Sequence, residues 1–203
     1  RSMLELCPPG ATGYSWGEML TSFVSGATAT GLYAGRVLAN VAAQNPQIAD
    51  SITCALYPRM SRDIPAWTYN DFPCVCIPSA ASNKAEAKLF AASLFDPAGY
   101  IPQLHAAPGH VLPVLETVAE NPAYRDNEII DRYPQEIDLM ASAAAQGYNL
   151  GFETTAHQPN TKAGEIIASN AIAEMVQRVV LNDENLQAAV GNTVTRLEEI
   201  MRS

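Results

Sequence analysis

Residues 23–43 constrain the fold most, because Arg36 is the only charged residue among them. A segment so poor in charge belongs in a protein core or in a bilayer. Glycines at positions 26, 31 and 35 and several hydroxyl side chains argue against the bilayer. A central arginine would also cost roughly 2.5–3.5 kcal/mol on insertion scales. We therefore expect a soluble segment and no membrane-spanning helix in this chain.

The pattern within and after this stretch predicts alternating helices and strands. Residues 16–25 place apolar side chains at helical spacing, and Gly26 ends that helix. The small and β-branched residues 27–32 predict a buried strand, and residues 35–43 return to helical spacing. The apolar runs "SITCALYP" and "FPCVCIP" predict two further short strands. The expected fold class is therefore α/β.

The remaining chain is helical in pattern. Residues 85–95 form one predicted helix, and residues 123–147 form another that breaks near Pro134. Two amphipathic helices are expected at the end of the chain, over residues 164–181 and from Asp183, as a capping residue, to the C-terminus.

Composition excludes several classes of protein. With 48% hydrophobic and 16% charged residues in 203, the chain can bury a sizeable core. A net charge of −9 repels phosphate backbones, so nucleic acid is not an expected partner. The four cysteines match no zinc-binding spacing, and Cys74 and Cys76 are expected to be small buried side chains. The three histidines show no metal-ligand spacing, and neither metal nor cofactor is expected.

Two irregular segments and one cation have the chemistry of a binding site. Trp67 and Tyr69 beside Asn70 and Asp71 suit a sugar, whose C–H faces stack on flat rings, although aromatic residues can equally anchor a loop to its own core. "HQPNTKAGE" gathers polar side chains ahead of a helix, as a ligand loop or a capping loop would. Arg36 could bind a hydroxyl pair or a carboxylate, or form a surface ion pair.

The order of these segments resembles a known family. "FVSGATA", "YAGR", "IPSAASNKAEAKLFAASLFDPAG" and "GHVLPV" together are similar to the C-terminal half of the type 1 extracellular solute-binding proteins of carbohydrate ABC importers, the relatives of maltose-binding protein. The resemblance implies the helix-rich C-terminal part of a two-lobed α/β periplasmic-binding-protein fold of type II, incomplete without its N-terminal half. A start inside a helix end, "RSMLELCPPG", favours the same expectation.

The resemblance also implies how the chain divides and where it binds. Residues 1–70 and 115–203 would lie in the C-terminal lobe, and residues 72–110 would belong with the N-terminal lobe. Position 36 holds a stacking tryptophan in maltose-binding protein, so this chain departs from its relatives there. The implied sugar-contacting residues are Tyr33, Gly35, Arg36, Trp67, Tyr69, Asn70, Asn160, Gly164 and Glu165.

The implied function is sugar binding and delivery to ABC permease subunits by cleft closure, without catalysis. The expected location is periplasmic or extracellular, with a lipid anchor on the missing N-terminal part as one form of attachment. Two alternatives stay open at this point. One is a helical module that binds a protein, and the other is a carbohydrate-active enzyme with Asp71 and Glu165 as its carboxylate pair.

Overall fold

The computed structural model describes residues 4–59, 61–63, 68–69, 74–147 and 160–203, and helices account for most of them. Short 3-10 turns cover Leu4–Leu6, Ala11–Gly13 and Pro46–Ser51. The α-helices are α1 (Trp16–Val24), α2 (Arg36–Gln44), α3 (Lys84–Ser93), α4 (Pro97–Ala106), α5 (Glu116–Ala119), α6 (Pro122–Arg125), α7 (Glu128–Arg132), α8 (Pro134–Ala145), α9 (Ala163–Ala168), α10 (Ala171–Leu181) and α11 (Leu186–Arg202).

The expected α/β fold is wrong, because the described residues contain helices and no strand or sheet. Residues 27–32, 51–58 and 74–77 run as irregular or turn-like backbone instead. After α1, Gly26 takes a φ of 78°, and the amides of Ala27 and Thr28 turn back to donate to the carbonyl of Ser22. A strand needs a neighbouring backbone to accept and donate its ladder hydrogen bonds, so β-branched residues alone cannot make one.

Helical periodicity predicted α1, α2, α3 and α11, but it missed α4 and merged α9 and α10 into one helix over 164–181. The patterns at 16–25, 35–43 and 85–95 correspond to α1, α2 and α3. The break expected at Pro134 is confirmed, since α8 begins there. The predicted cap at Asp183 is wrong: Asn185 caps α11 by accepting from the amides of Gln187 and Ala188 at 3.0 and 3.2 Å. Asparagine and aspartate are comparable caps, so the choice between them depends on where the backbone enters the helix.

The described chain forms two compact units, one of residues 15–147 and one from the described parts of residues 1–14 and 148–203. We call them the central unit and the terminal unit. Neither unit tests the assignment of residues 1–70, 72–110 and 115–203 to lobes, which stays a prediction. No helix in the described residues is long and apolar enough to cross a membrane.

The central unit contains the main core. Helix α4 contributes Tyr100, Ile101 and Leu104 at helical spacing. Helices α2 and α5–α8, with the residue that joins α7 to α8, supply the other buried side chains of this core. These are Leu38, Val118, Tyr124, Ile130, Tyr133 and Ile137. A second, smaller cluster joins α1, α2 and the turn Pro46–Ser51 through Val24, Val41 and Ala49. The side-chain amide of Asn45 donates to the carbonyl of Val24 at 2.9 Å, which holds the ends of α1 and α2 together.

The terminal unit is a helical hairpin with α9 packed beside it. Helices α10 and α11 pack along each other, and each buries an alanine, Ala171 and Ala189. Arg196 bridges the hairpin by donating to Glu174 at 2.6 Å and to the carbonyl of Ser169 at 2.7 Å. The outer face of α11 leaves a stripe of apolar side chains about half exposed, namely Leu186, Val190, Val194 and Met201.

The cysteine interpretation needs correction. Cys74 and Cys76 are exposed rather than buried, because the segment that holds them does not pair as a strand. Cys54 is half-buried beside α8, and burial raises the pKa of its thiol, with a smaller contribution from the nearby carboxylate of Glu136.

Two buried tyrosines of the central core allow a paired prediction. The hydroxyl of Tyr133 donates to the carbonyl of Ala49 at 2.8 Å, whereas that of Tyr124 has no partner among the described residues. Tyr133→Phe should lower the free energy of unfolding by about 1 kcal/mol, because a buried carbonyl loses its donor. Tyr124→Phe should raise it or leave it unchanged, because no hydrogen bond is lost and a buried unpaired hydroxyl is removed. Urea unfolding of both variants measures the difference, and an equal loss in the two would contradict it.

Candidate functional site

Two segments that carry the family resemblance meet in the central unit. Gly35, the third residue of "YAGR", is buried against Gly109 of the "PGHVLPV" loop. A Cβ atom on Gly35 would overlap the carbonyl oxygen of Gly109 and lie 2.6 Å from Sδ and Cε of Met140. Gly109 has a φ of 76°, a left-handed conformation that favours glycine. This contact therefore requires glycine at both positions.

The loop that carries Gly109 is held by the core beneath it. The Tyr100 hydroxyl, on buried α4, accepts from the amide of Val114 at 3.1 Å. The amide of His110 donates to the carbonyl of Ala107 at 3.0 Å, which closes a turn after α4. The loop is thus fixed at both ends, and it gives the 33–36 segment a firm surface to pack on.

Two aromatic rings lie directly before this contact. Trp16 and Tyr33 pack edge to face, with ring centroids 5.2 Å apart and planes at 81°. Trp16 is 66% exposed and opens α1. The carboxylate of Glu18 accepts from the amide of Ser15 at 2.9 Å and also bonds its hydroxyl. The Ser15 hydroxyl is the main cause that lowers the pKa of Glu18. This capping box fixes the first turn of α1, and with it the position of Trp16.

Arg36 begins α2 immediately after the glycine contact and is exposed. Its side chain forms no hydrogen bond or ion pair with the residues that the structure describes. The surface ion pair, one of the alternatives for this residue, is therefore not formed in the described chain. A guanidinium without an internal partner keeps five N–H donors for a ligand.

The aromatic segment around Tyr69 is only partly described. Trp67 and Asn70, two of the predicted sugar-contacting residues, lie outside the described residues, as does Asp71. Tyr69 is 73% exposed. The prediction that this segment contacts a sugar stays a prediction.

The third predicted group belongs to the terminal unit. The side-chain oxygen of Asn160 accepts from the amide of Lys162 at 2.9 Å, and Glu165 pairs with the Lys162 ammonium at 2.8 Å. Gly164 lies exposed in the first turn of α9. These contacts are what a helix-capping loop makes, and the binding role of Asn160, Gly164 and Glu165 stays a prediction.

Two residues of this region were not among the sequence-predicted site residues. The sequence pattern marks Trp16 only as the start of a helix, and the structure adds its ring contact with Tyr33. His110, next to Gly109, is exposed. A pocket of about 210 Å³ lies at the C-terminal ends of α1 and α2. It is lined by Thr21, Val24, Ser25, Gln44 and Asn45.

The described residues contain no group of three or more histidine, cysteine or acidic side chains that could hold a metal ion. His105 is engaged in the core, with its Nε2 2.8 Å from the carbonyl oxygen of Tyr124. The candidate site in the central unit consists of Gly35 against Gly109, Tyr33 and Arg36 close to Gly35 in the chain, and Trp16 in ring contact with Tyr33.

Comparison with known proteins found no matching family model, no matching curated protein and no matching solved structure.

Proposed function

We propose that this protein binds a carbohydrate and delivers it to the permease subunits of an ABC importer, on the periplasmic or extracellular side of a membrane. The observation that supports this most is the contact between Gly35 and Gly109. It brings "YAGR" and "PGHVLPV", two separate parts of the family resemblance, onto one surface. Sequence distance alone does not require these segments to meet.

The chemistry beside that contact fits a sugar. Trp16 offers an exposed flat ring on which the C–H face of a pyranose can stack, and Tyr33 supports it from the side. The Tyr33 hydroxyl and the Arg36 guanidinium are polar groups of the kind that orient sugar hydroxyls. Delivery requires that the bound sugar stabilise one conformation, which the permease then recognises. The ligand can shift that equilibrium only by its difference in affinity between the two conformations.

Replacing Trp16 tests the proposal directly. Trp16→Ala should weaken sugar binding about tenfold, because the ring supplies apolar contact that alanine cannot replace. Isothermal titration calorimetry against a panel of neutral and acidic hexoses measures the loss. Phe90→Ala is the matched control, since Phe90 is a comparably exposed aromatic residue, at 65%, on α3.

Two results would contradict this proposal. One is that no sugar of the panel binds the unsubstituted protein. The other is that Trp16→Ala and Phe90→Ala bind sugar equally well. Chromatography of the incubated sugars should show no products, because the proposed role is binding without turnover. Cleavage of a glycoside would favour an enzyme instead.

A further inference from the structure

The charge environment of Arg36 differs from that of the other arginines on helices of the central unit. Acidic residues outnumber lysine and arginine by 21 to 12, so a basic side chain has many possible partners. The other arginines on helices of the central unit form ion pairs: Arg125 pairs with Asp138 at 3.0 Å, and Arg132 pairs with Asp50 at 2.7 Å. Arg36 has no such partner among the described residues.

The elements packed against α2 carry acidic side chains that do not pair with Arg36. On α1, the carboxylate of Glu18 is bound by Ser15. On the turn Pro46–Ser51, Asp50 forms its ion pair with Arg132. On α7, neither Glu128 nor Asp131 forms an ion pair with Arg36.

None of these carboxylates forms an ion pair with Arg36 in the part of the chain that the structure describes. The Arg36 guanidinium is therefore a positive charge without an acidic partner among the described residues, on a protein whose net charge is −9. Its position favours a negatively charged ligand over a neutral one.

Arg36 is also close to the proposed stacking surface. Tyr33 lies three residues before it, so their Cα atoms are at most about 11 Å apart. The Tyr33 ring in turn contacts Trp16. A single sugar ring on this aromatic pair could therefore present a substituent to the guanidinium. A planar carboxylate is the substituent that matches arginine best, because it accepts two parallel hydrogen bonds.

We propose that the solute is an acidic sugar, a hexuronate or a short chain of hexuronates, whose carboxylate is bound by Arg36. This inference rests on the proposed function and specifies its ligand class. It makes Arg36 the residue that selects an acidic sugar over its neutral counterpart.

Matched sugar pairs test the selection. Glucuronate should bind about tenfold more tightly than glucose, and galacturonate about tenfold more tightly than galactose, in calorimetry at low ionic strength. Arg36→Gln should abolish this preference, so that the acidic and neutral sugars of each pair bind within about twofold of each other. Arg36→Lys should retain part of the preference, because an ammonium keeps the charge but not the two-pronged geometry. Arg62→Gln, a change at another exposed arginine of the central unit, should retain all of it.

Rising salt should reduce the acid preference of the unsubstituted protein, because an exposed ion pair is screened. Acetate at the same concentration as the sugar should not displace glucuronate, because acetate has no ring to stack on the aromatic side chains. Equal binding of acidic and neutral sugars would overturn the inference and leave the proposed function standing. A preference that survives in Arg36→Gln would remove Arg36 from the inference, and failure of every sugar to bind would overturn both proposals.

Discussion

Alanine in place of Gly35 should lower the free energy of unfolding by about 3 kcal/mol. The added Cβ would overlap the carbonyl oxygen of Gly109, and it would lie 2.6 Å from the side chain of Met140. Met140 can rotate away, but a backbone carbonyl in a fixed loop cannot. Relief therefore requires the 33–36 segment to move off the Gly109 loop. Chemical denaturation of Gly35→Ala against the unsubstituted protein measures the loss.

Gly99→Ala is the matched control for this change. Gly99 lies within α4, and a Cβ there meets nothing within 4 Å. Alanine is the better helix former by up to about 1 kcal/mol, so this variant should be slightly more stable than the unsubstituted protein. Equal stability changes in the two variants would show that the close contact at Gly35 does not exist. Gly35→Ala should also weaken sugar binding if the proposed site is correct, because Tyr33 and Arg36 would move with the segment.

Leu104→Ala should lower the free energy of unfolding by about 3 kcal/mol. Leu104 is fully buried on α4 between Tyr100 and the side chains of helices α5–α8. Removing its three outer carbon atoms loses their transfer free energy and leaves a cavity that fixed helices cannot close. Urea unfolding at constant temperature measures this loss. The slope of the free energy of unfolding against urea concentration should be the same in both proteins, as two-state unfolding requires.

Leu89→Ala makes the same chemical change at a position on α3 that is 73% exposed. It should alter stability by less than about 0.5 kcal/mol. A comparable loss in both variants would contradict the burial pattern of the central unit, since it would mean that Leu89 is as well packed as Leu104.

The sequence predicted local structure far better than it predicted the fold class. The spacing of Leu20, Phe23 and Val24 predicted α1, and Pro134 predicted the start of α8, because helical hydrogen bonds lie within a few residues of each other. The three strands were wrong because a strand depends on a distant partner, which composition does not reveal. The cysteines of "FPCVCIP" were misplaced for the same reason.

The binding role of the predicted site residues stays a prediction. The structure shows that one of them, Gly35, packs against Gly109, with Tyr33 and Arg36 close to it in the chain. The sequence does not point to Trp16, because it contacts Tyr33 across sixteen intervening residues and from a different element. Asn160 and Glu165 make contacts within their own loop and helix, and sequence alone could not distinguish a capping role from a binding role.

The sequence by itself determined an acidic chain with enough apolar residues for a core, the faces of its helices and the prolines and glycines that end them. These properties depend on composition and on neighbours within one helical turn. Only the tertiary structure decided that Gly35 contacts Gly109, that Trp16 packs edge to face with Tyr33 and that Arg36 has no acidic partner in the described chain. Each of those facts depends on which residues far apart in sequence come close in space, and the packing of the helices decides that.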